Sequence, residues 1–119
     1  MDGRYIRNVP ALSEAECDLL KTKRVCIVGC GGLGGYLIEL LCRVGVGHIR
    51  ALDGDVFDET NLNRQLLSQV KLIGKSKANA ARERAALISP ETEFEAIDVF
   101  LTEENAAKII TTCWSWRYP

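Results

Sequence analysis

Apolar positions along this chain change period several times, and each change marks an element. Val25-Cys26-Ile27-Val28 is a short unbroken apolar run, as expected of a buried strand. Glycines follow at once, and beyond them Leu33, Leu37, Leu40, Leu41 and Val44 recur at helical spacing. The pattern predicts a strand over about 24–28, a tight turn, and a helix that turns its leucine stripe to the core and ends at Gly45 and Gly47. A second strand is expected from His48 to about Asp53. Upstream, Ser13 and Glu16 fit a capping box, which predicts a short helix to about Thr22. Downstream, Ala78, Ala81, Ala85 and Ile88 make the narrow stripe of a third helix. It starts near Gly74-Lys75-Ser76 and stops at Ser89-Pro90. Phe94 to Phe100 reads as a third strand. Thr102 caps a last helix, with Glu103 and Glu104 in its first turn, running to about Ile110. Alternation of this kind predicts an α/β fold: a Rossmann-like parallel sheet with right-handed crossovers and helices on both faces.

The 119 residues suffice for one domain. An N-terminal helical part over 1–23, a Rossmann-like core over 24–112 and an atypical tail over 113–119 are expected. Thr111-Thr112-Cys113 should lead into another buried strand, yet the chain closes on Trp114-Ser115-Trp116-Arg117-Tyr118-Pro119. Such a tail reads as a docking segment or, in preference, as the mark of truncation or a changed reading frame, so the fold is expected in truncated form. A formal net charge of -1 argues against a nucleic-acid binder that works by bulk electrostatics. No apolar run approaches the roughly 18 residues of a membrane span, and the first ten residues lack a signal peptide's apolar core. The expected location is the cytoplasm. Five cysteines without a C-x-x-C pair argue against a disulfide framework and a zinc site. Cys26 and Cys42 read as small buried hydrophobes, while Cys30 and Cys113 are the candidates, weak for want of a partner base, for a nucleophile. His48, the only histidine, is poor evidence for a metal.

Candidate chemistry starts at Gly29-Cys30-Gly31-Gly32-Leu33-Gly34, which fits G-x-G-x-x-G between a strand and a helix. A helix N-terminus offers unpaired N–H groups and partial positive charge, and glycines let an anion approach that backbone. Asp53 lies 19 residues after Gly34 at the expected end of the second strand, where an acid accepts hydrogen bonds from ribose hydroxyls. The alternative is a solvated turn carboxylate in Asp53-Gly54-Asp55. Then come Asn61, Arg64 and Gln65, followed by Lys75 and Lys77. An ordinary dehydrogenase has no task for these cations, whereas a triphosphate does.

Taken in order, Arg4-Tyr5-Ile6-Arg7, the glycine loop, Leu52-Asp53-Gly54-Asp55, Asn61-Leu62-Asn63-Arg64-Gln65 and Gly74-Lys75-Ser76-Lys77 resemble the ThiF/MoeB/HesA family of ubiquitin-activating-enzyme-like adenylyltransferases. The resemblance runs over about residues 4–100. It implies ATP and Mg2+ as cofactors and a ubiquitin-like sulfur carrier as partner, whose C-terminal glycine carboxylate is adenylated with release of pyrophosphate. It implies that Gly29, Gly31, Gly32 and Gly34 pack under the nucleotide and that Asp53 holds the ribose, with Asp55 beside it. Asn61, Arg64 and Lys77 would face the phosphates, and Gln65 would support that loop. Arg7 would reach into a neighbouring subunit's site, which implies a homodimer and gives Arg7, Arg64 and Lys77 the catalytic roles. Two departures stand out. Asn8 occupies a position where the family usually has Gln, and no D-x-x-D-N segment, the family's magnesium-binding stretch, is present. Two other readings stay open: a non-catalytic nucleotide-binding or dimerisation fragment of that family, and an NAD-binding oxidoreductase domain.

Overall fold

The computed structural model describes residues 3–115. A 3-10 helix over Gly3–Asn8 opens the chain and buries Tyr5. The elements that follow are α1 (Glu14–Leu20), β1 (Arg24–Val28), α2 (Gly32–Val44), β2 (His48–Leu52), α3 (Lys77–Ile88), β3 (Glu93–Ile97) and α4 (Glu103–Ser115). Ser13 caps α1 with both bonds of the expected capping box. Gly45 closes α2 in the left-handed conformation at φ 108°.

The strands form one parallel sheet in the order β1-β2-β3. Val25, Ile49 and Phe94 share one register line, and Cys26, Arg50 and Glu95 the next. Strand residues alternate faces, so the sheet has two distinct sides. On one side Ile27, Ile49 and Ala51 pack with Ile38 and Cys42 of α2 and with Ala78, Ala81 and Ala85 of α3. On the other lies α4: the buried Arg50 donates to Glu95 at 2.8 Å, to the Ile109 carbonyl at 2.8 Å and to Thr112 Oγ1 at 2.7 Å. The chain thus reverses direction after β3, and α4 returns across the sheet to β1.

Three expectations need correction. The leucine stripe of α2 is only in part its core face: Leu41 and Val44 pack against the core, but the rest does not. Leu33 is 75% and Leu40 62% exposed, whereas Gly35, Ile38 and Cys42 are buried. At Gly35 a Cβ would lie 3.3 Å from Leu67 Cγ and 3.6 Å from the Cys30 carbonyl oxygen, so this face of the helix packs closely on the loop residue Leu67. β3 stops at Ile97, the partner of Leu52, and the Ile97 carbonyl accepts the Asp53 N–H at 3.1 Å as the last bond of the ladder; beyond it Val99 and Phe100 lie exposed. Finally, α4 runs past its expected end at Ile110, with Thr111-Thr112-Cys113 continuing the helix to Ser115. Arg50 holds that last turn through Ile109 and Thr112. The side chains of residues 114 and 115 and all of 116–119 lie outside the described part, so the tail's proposed roles do too.

α2 and α3 are tied together by Glu39. Its carboxylate accepts from Arg84 at 2.7 and 3.0 Å and from Arg43 at 2.9 and 3.1 Å. The Arg84 bonds, reinforced by Arg43, hold the Glu39 carboxyl below the ordinary glutamate range against the opposing effect of burial. A carboxyl that ionises more readily folded than unfolded stabilises the fold above its unfolded value, about pH 4.3, and loses that contribution as pH falls through the folded value. The unaltered chain should therefore lose stability more steeply than Glu39→Gln on going from about pH 6 to about pH 3. Parallel unfolding midpoints for the two across that window would remove Glu39 from the acid response.

Candidate functional site

Four segments meet at the carboxyl ends of β1 and β2. The first is the glycine turn. Gly29 has φ 98° and donates its N–H to the Leu52 carbonyl at 2.7 Å, which ties the turn to the neighbouring strand. A Cβ at Gly34 would lie 1.8 Å from the Gly29 carbonyl oxygen, so α2 starts directly on top of the turn. At Gly32 a Cβ would meet nothing within 4 Å, and Gly31, the N-cap, makes no side-chain capping bond. The first turn of α2 is open backbone whose N–H groups have no side-chain acceptor.

The second segment is the loop after β2. Asp53 Oδ2 accepts the Cys30 N–H at 2.8 Å and Oδ1 accepts the Asp55 N–H at 2.8 Å. The carboxylate braces the glycine turn against its own loop, and each oxygen keeps a further lone pair for an incoming hydroxyl.

The third is the Asn61–Gln65 stretch. Asp58 caps a 3-10 turn over Glu59–Asn61, and Asn61 Oδ1 returns the bond by accepting the Asp58 N–H at 2.7 Å. Asn61 is buried and shapes the loop. Thr60 bonds hold the Asp58 carboxyl below its usual range. Arg64 lies exposed, with Nη1 donating to the Thr60 carbonyl at 2.8 Å and to Asn63 Oδ1 at 3.2 Å. Gln65 is only 8% exposed, and its Oε1 is buried without a hydrogen-bond partner. The same oxygen sits 3.0 Å from the position of a Gly31 Cβ. A buried acceptor without a donor, beside the open glycine turn, is suited to a ligand or water that donates to it.

The fourth is the start of α3. Ser76 caps the helix by accepting the Asn79 N–H at 3.2 Å. Lys77, its first residue, is 6% exposed; its N–H donates to the Asp55 carbonyl at 3.1 Å and its Nζ lies 3.7 Å from Asp55 Oδ2. This ammonium is held away from water with an exposed carboxylate as its charge partner.

The structure brings the glycine turn, Asp53, Asp55, Gln65 and Lys77 together, with Asn61 buried in the adjoining loop and Arg64 exposed on it; Arg7 lies elsewhere. Arg7 is exposed on the first 3-10 helix, where Tyr5 packs on Gly45, Asn8 donates to the Val44 carbonyl at 3.3 Å and Arg4 donates to the Ile88 carbonyl at 2.6 Å. Those are the C-terminal ends of α2 and α3, on the side where β2 begins. A five-residue strand is about 16 Å long, so Arg7 sits at the far end of the sheet from the glycine turn of its own chain.

The candidate nucleophiles do not take part. The side chain of Cys30 belongs to the core, and burial, then the nearby Asp53 charge, pushes its thiol up to about 12. Cys113 is buried on α4. Among the described residues no three His, Cys, Asp or Glu side chains converge to hold a metal ion. Two hollows of about 310 Å³ each flank α3 but include none of the predicted site residues. No helix among the described residues is long and apolar enough to cross a membrane.

The chain is 39% identical over 102 residues to the tRNA threonylcarbamoyladenosine dehydratase of Bacillus subtilis, covering 86% of this chain and 40% of that protein. It is 35% identical over 109 residues to the sulfur carrier protein adenylyltransferase of Thermus thermophilus, covering 90% of this chain and again 40% of the relative. Among solved structures, the Escherichia coli tRNA N6-threonylcarbamoyladenosine dehydratase in complex with AMP superposes with a TM-score of 0.88 at 32% identity, over 92% of this chain and 44% of that one. The chain therefore spans less than half the length of these relatives. Residues 4–114 match the ThiF family along almost the whole chain, and the protein belongs to that family.

Proposed function

We propose that this chain binds ATP and forms the nucleotide-binding part of a cytoplasmic adenylyltransferase. The observation that supports the proposal is the cation set: Lys77 is buried and pairs with Asp55, two residues from the Asp53 carboxylate that braces the open glycine turn, and Arg64 lies exposed next to Gln65, whose side chain reaches Gly31. A dinucleotide site needs the glycine turn and the acid but not the cations. In this reading Asp53 accepts from the ribose hydroxyls. The N–H groups around Gly31, Gly32 and the first turn of α2 take a phosphate, with Gly29 and Gly34 fixing their position. Arg64 and Lys77 stabilise the charge that develops as an acceptor carboxylate oxygen bonds to the α-phosphorus and pyrophosphate leaves. The Asp55 carbonyl holds the start of α3 through the Lys77 N–H, while Asn61 and Gln65 shape the loop. This chain offers no acidic cluster of its own among the described residues, so no step is assigned to Mg2+.

The acceptor in this proposal is the C-terminal glycine of a ubiquitin-like sulfur carrier, a reading supported by the Thermus relative. The Bacillus relative favours a second reading, an acceptor on tRNA. ATP–pyrophosphate exchange stimulated by a carrier or by tRNA separates the two. A homodimer is part of the proposal: Arg7, stationed away from its own site, would serve the neighbour's.

Thermal unfolding with ATP and magnesium beside NAD tests the core claim. A ligand at about 100 times its Kd adds roughly 2.7 kcal/mol of stability. Stabilisation by ATP and not by NAD is expected; stabilisation by NAD alone would replace the proposal with an oxidoreductase domain, and a shift with neither would leave a non-binding fragment. Arg64→Ala should weaken ATP far more than adenosine, since only ATP carries phosphates. Equal losses for the two ligands would strip Arg64 of its phosphate role.

A further inference from the structure

We propose that Cys26 and Cys113 close into a disulfide under oxidising load, and that this bond locks α4 onto β1. Residues of a strand alternate faces. Val25 and Ile27 pack into the core with α2 and α3, so Cys26 looks to the opposite side of the sheet. Arg50, its partner in register, bonds the Ile109 carbonyl and Thr112 Oγ1 on that same side. Those bonds bring the last turn of α4 down over the sheet, where the helix also contacts β1. Thr112 stays exposed, whereas Cys113, the next residue, is only 2% exposed. There the thiols of Cys26 and Cys113 meet within hydrogen-bonding reach. The other cysteines lie elsewhere: Cys30 and Cys42 in the core shared by α2 and α3, and Cys17 on α1 beside Asn8.

Unequal access sets the order of the chemistry. Cys26 is partly exposed and Cys113 is buried, so an oxidant reaches Cys26 first. The oxidant named here is a low-molecular-weight disulfide. The Cys26 thiolate attacks one of its sulfurs; a bond forms from Cys26 Sγ to that sulfur, the small S–S bond breaks, and the departing thiolate takes up a proton. The Cys113 thiolate then attacks Cys26 Sγ and expels the second small thiol. Two protein thiols are oxidised by two electrons, and one small disulfide is reduced to two thiols. Burial, then the neighbouring Cys113, pushes the Cys26 thiol up. Its thiolate is therefore scarce at neutral pH and the first attack is slow, which suits a pair that stays reduced until oxidant accumulates. α4 has much to gain from the link. Among its described side chains Cys113 is the one fully buried, and Arg50 reaches only its last turns. β1, for its part, runs from Cys26 straight into the glycine turn at Gly29.

Treatment of the full chain with oxidised glutathione, followed by non-reducing peptide mapping in a mass spectrometer and by thermal unfolding, tests the proposal. The expected product is a Cys26–Cys113 linked peptide pair within one chain, with three of the five thiols still free. The link closes a loop of about 90 residues and should raise the unfolding midpoint by more than about 10 °C, an increase that dithiothreitol reverses. Cys113→Ser should stop at the mixed disulfide on Cys26, which shows the order of attack. Mapping of the unaltered chain stands whether or not that variant folds. Glutathione held on Cys26 of the unaltered chain without closure, no oxidation at all, or a bond that involves another cysteine or a second chain would overturn the proposal. A mapped Cys26–Cys113 bond that leaves the midpoint unmoved or lowers it would also overturn it, since α4 would then gain no anchor.

Discussion

Gly34→Ala is expected to lower the unfolding midpoint by roughly 10 °C, whereas Gly32→Ala, two residues earlier, should leave it within a few degrees. A methyl at residue 34 would sit 1.8 Å from the Gly29 carbonyl oxygen and 2.7 Å from its carbon. Both are backbone atoms, so no rotamer relieves the overlap. Either α2 lifts from the turn, or the turn opens and breaks the Gly29–Leu52 bond and the Cys30–Asp53 bond beside it. Overpacking costs about 1–3 kcal/mol when side chains can adjust, and a forced backbone shift lies at the upper end or beyond. At residue 32 the methyl meets nothing within 4 Å. Alanine is also the better helix former by about 1 kcal/mol. Circular dichroism melts of the three chains decide the matter: equal midpoints for Gly34→Ala and the unaltered chain would refute the packing. Gly32→Ala then has a second use. Because its fold stays intact, any loss of ATP affinity it shows belongs to the approach of ligand to backbone.

That contrast shows what was legible in the sequence. The glycine turn, the acid at the end of β2 and the cap of α3 are local: each depends on residues a few positions apart, and each lies where the spacing put it. The core face of α2 was not legible. Leucines at 33, 37 and 40 imitate a buried stripe, but a hydrophobic pattern gives no weight to Gly35, which is buried with Leu67 close against it. The end of β3 depends on where β2 stops, and the length of α4 on Arg50, which bonds residues 59 and 62 positions away. Long-range pairings of this kind leave no local trace. The place of Gln65 beside Gly31 and its orphaned Oε1 are visible only in three dimensions.

Lys77→Met is expected to weaken ATP binding by about 10- to 100-fold while leaving the ligand-free fold as stable as before, or more so. Lys77 is 6% exposed, and withdrawing an ammonium from water is unfavourable unless a close partner compensates. Asp55 is a poor one: the nitrogen and oxygen are 3.7 Å apart, and the Asp55 side chain is 56% exposed, so water screens the pair. Methionine has a similar length and can lie over the Phe57 ring, whose centre is 5.8 Å from Lys77 Nζ, without a charge to desolvate. Asp55 loses little, since it stays in water. The fold therefore has little use for the charge, but a phosphate arriving at the glycine turn does. Charge-assisted hydrogen bonds contribute about 1.5–3 kcal/mol, which sets the expected range of affinity loss. Calorimetric titration with ATP, beside a melt without ligand, separates the two roles. Unimpaired ATP binding would make Lys77 a structural residue of α3, and a large fall in the ligand-free midpoint would show that the ammonium serves the fold after all.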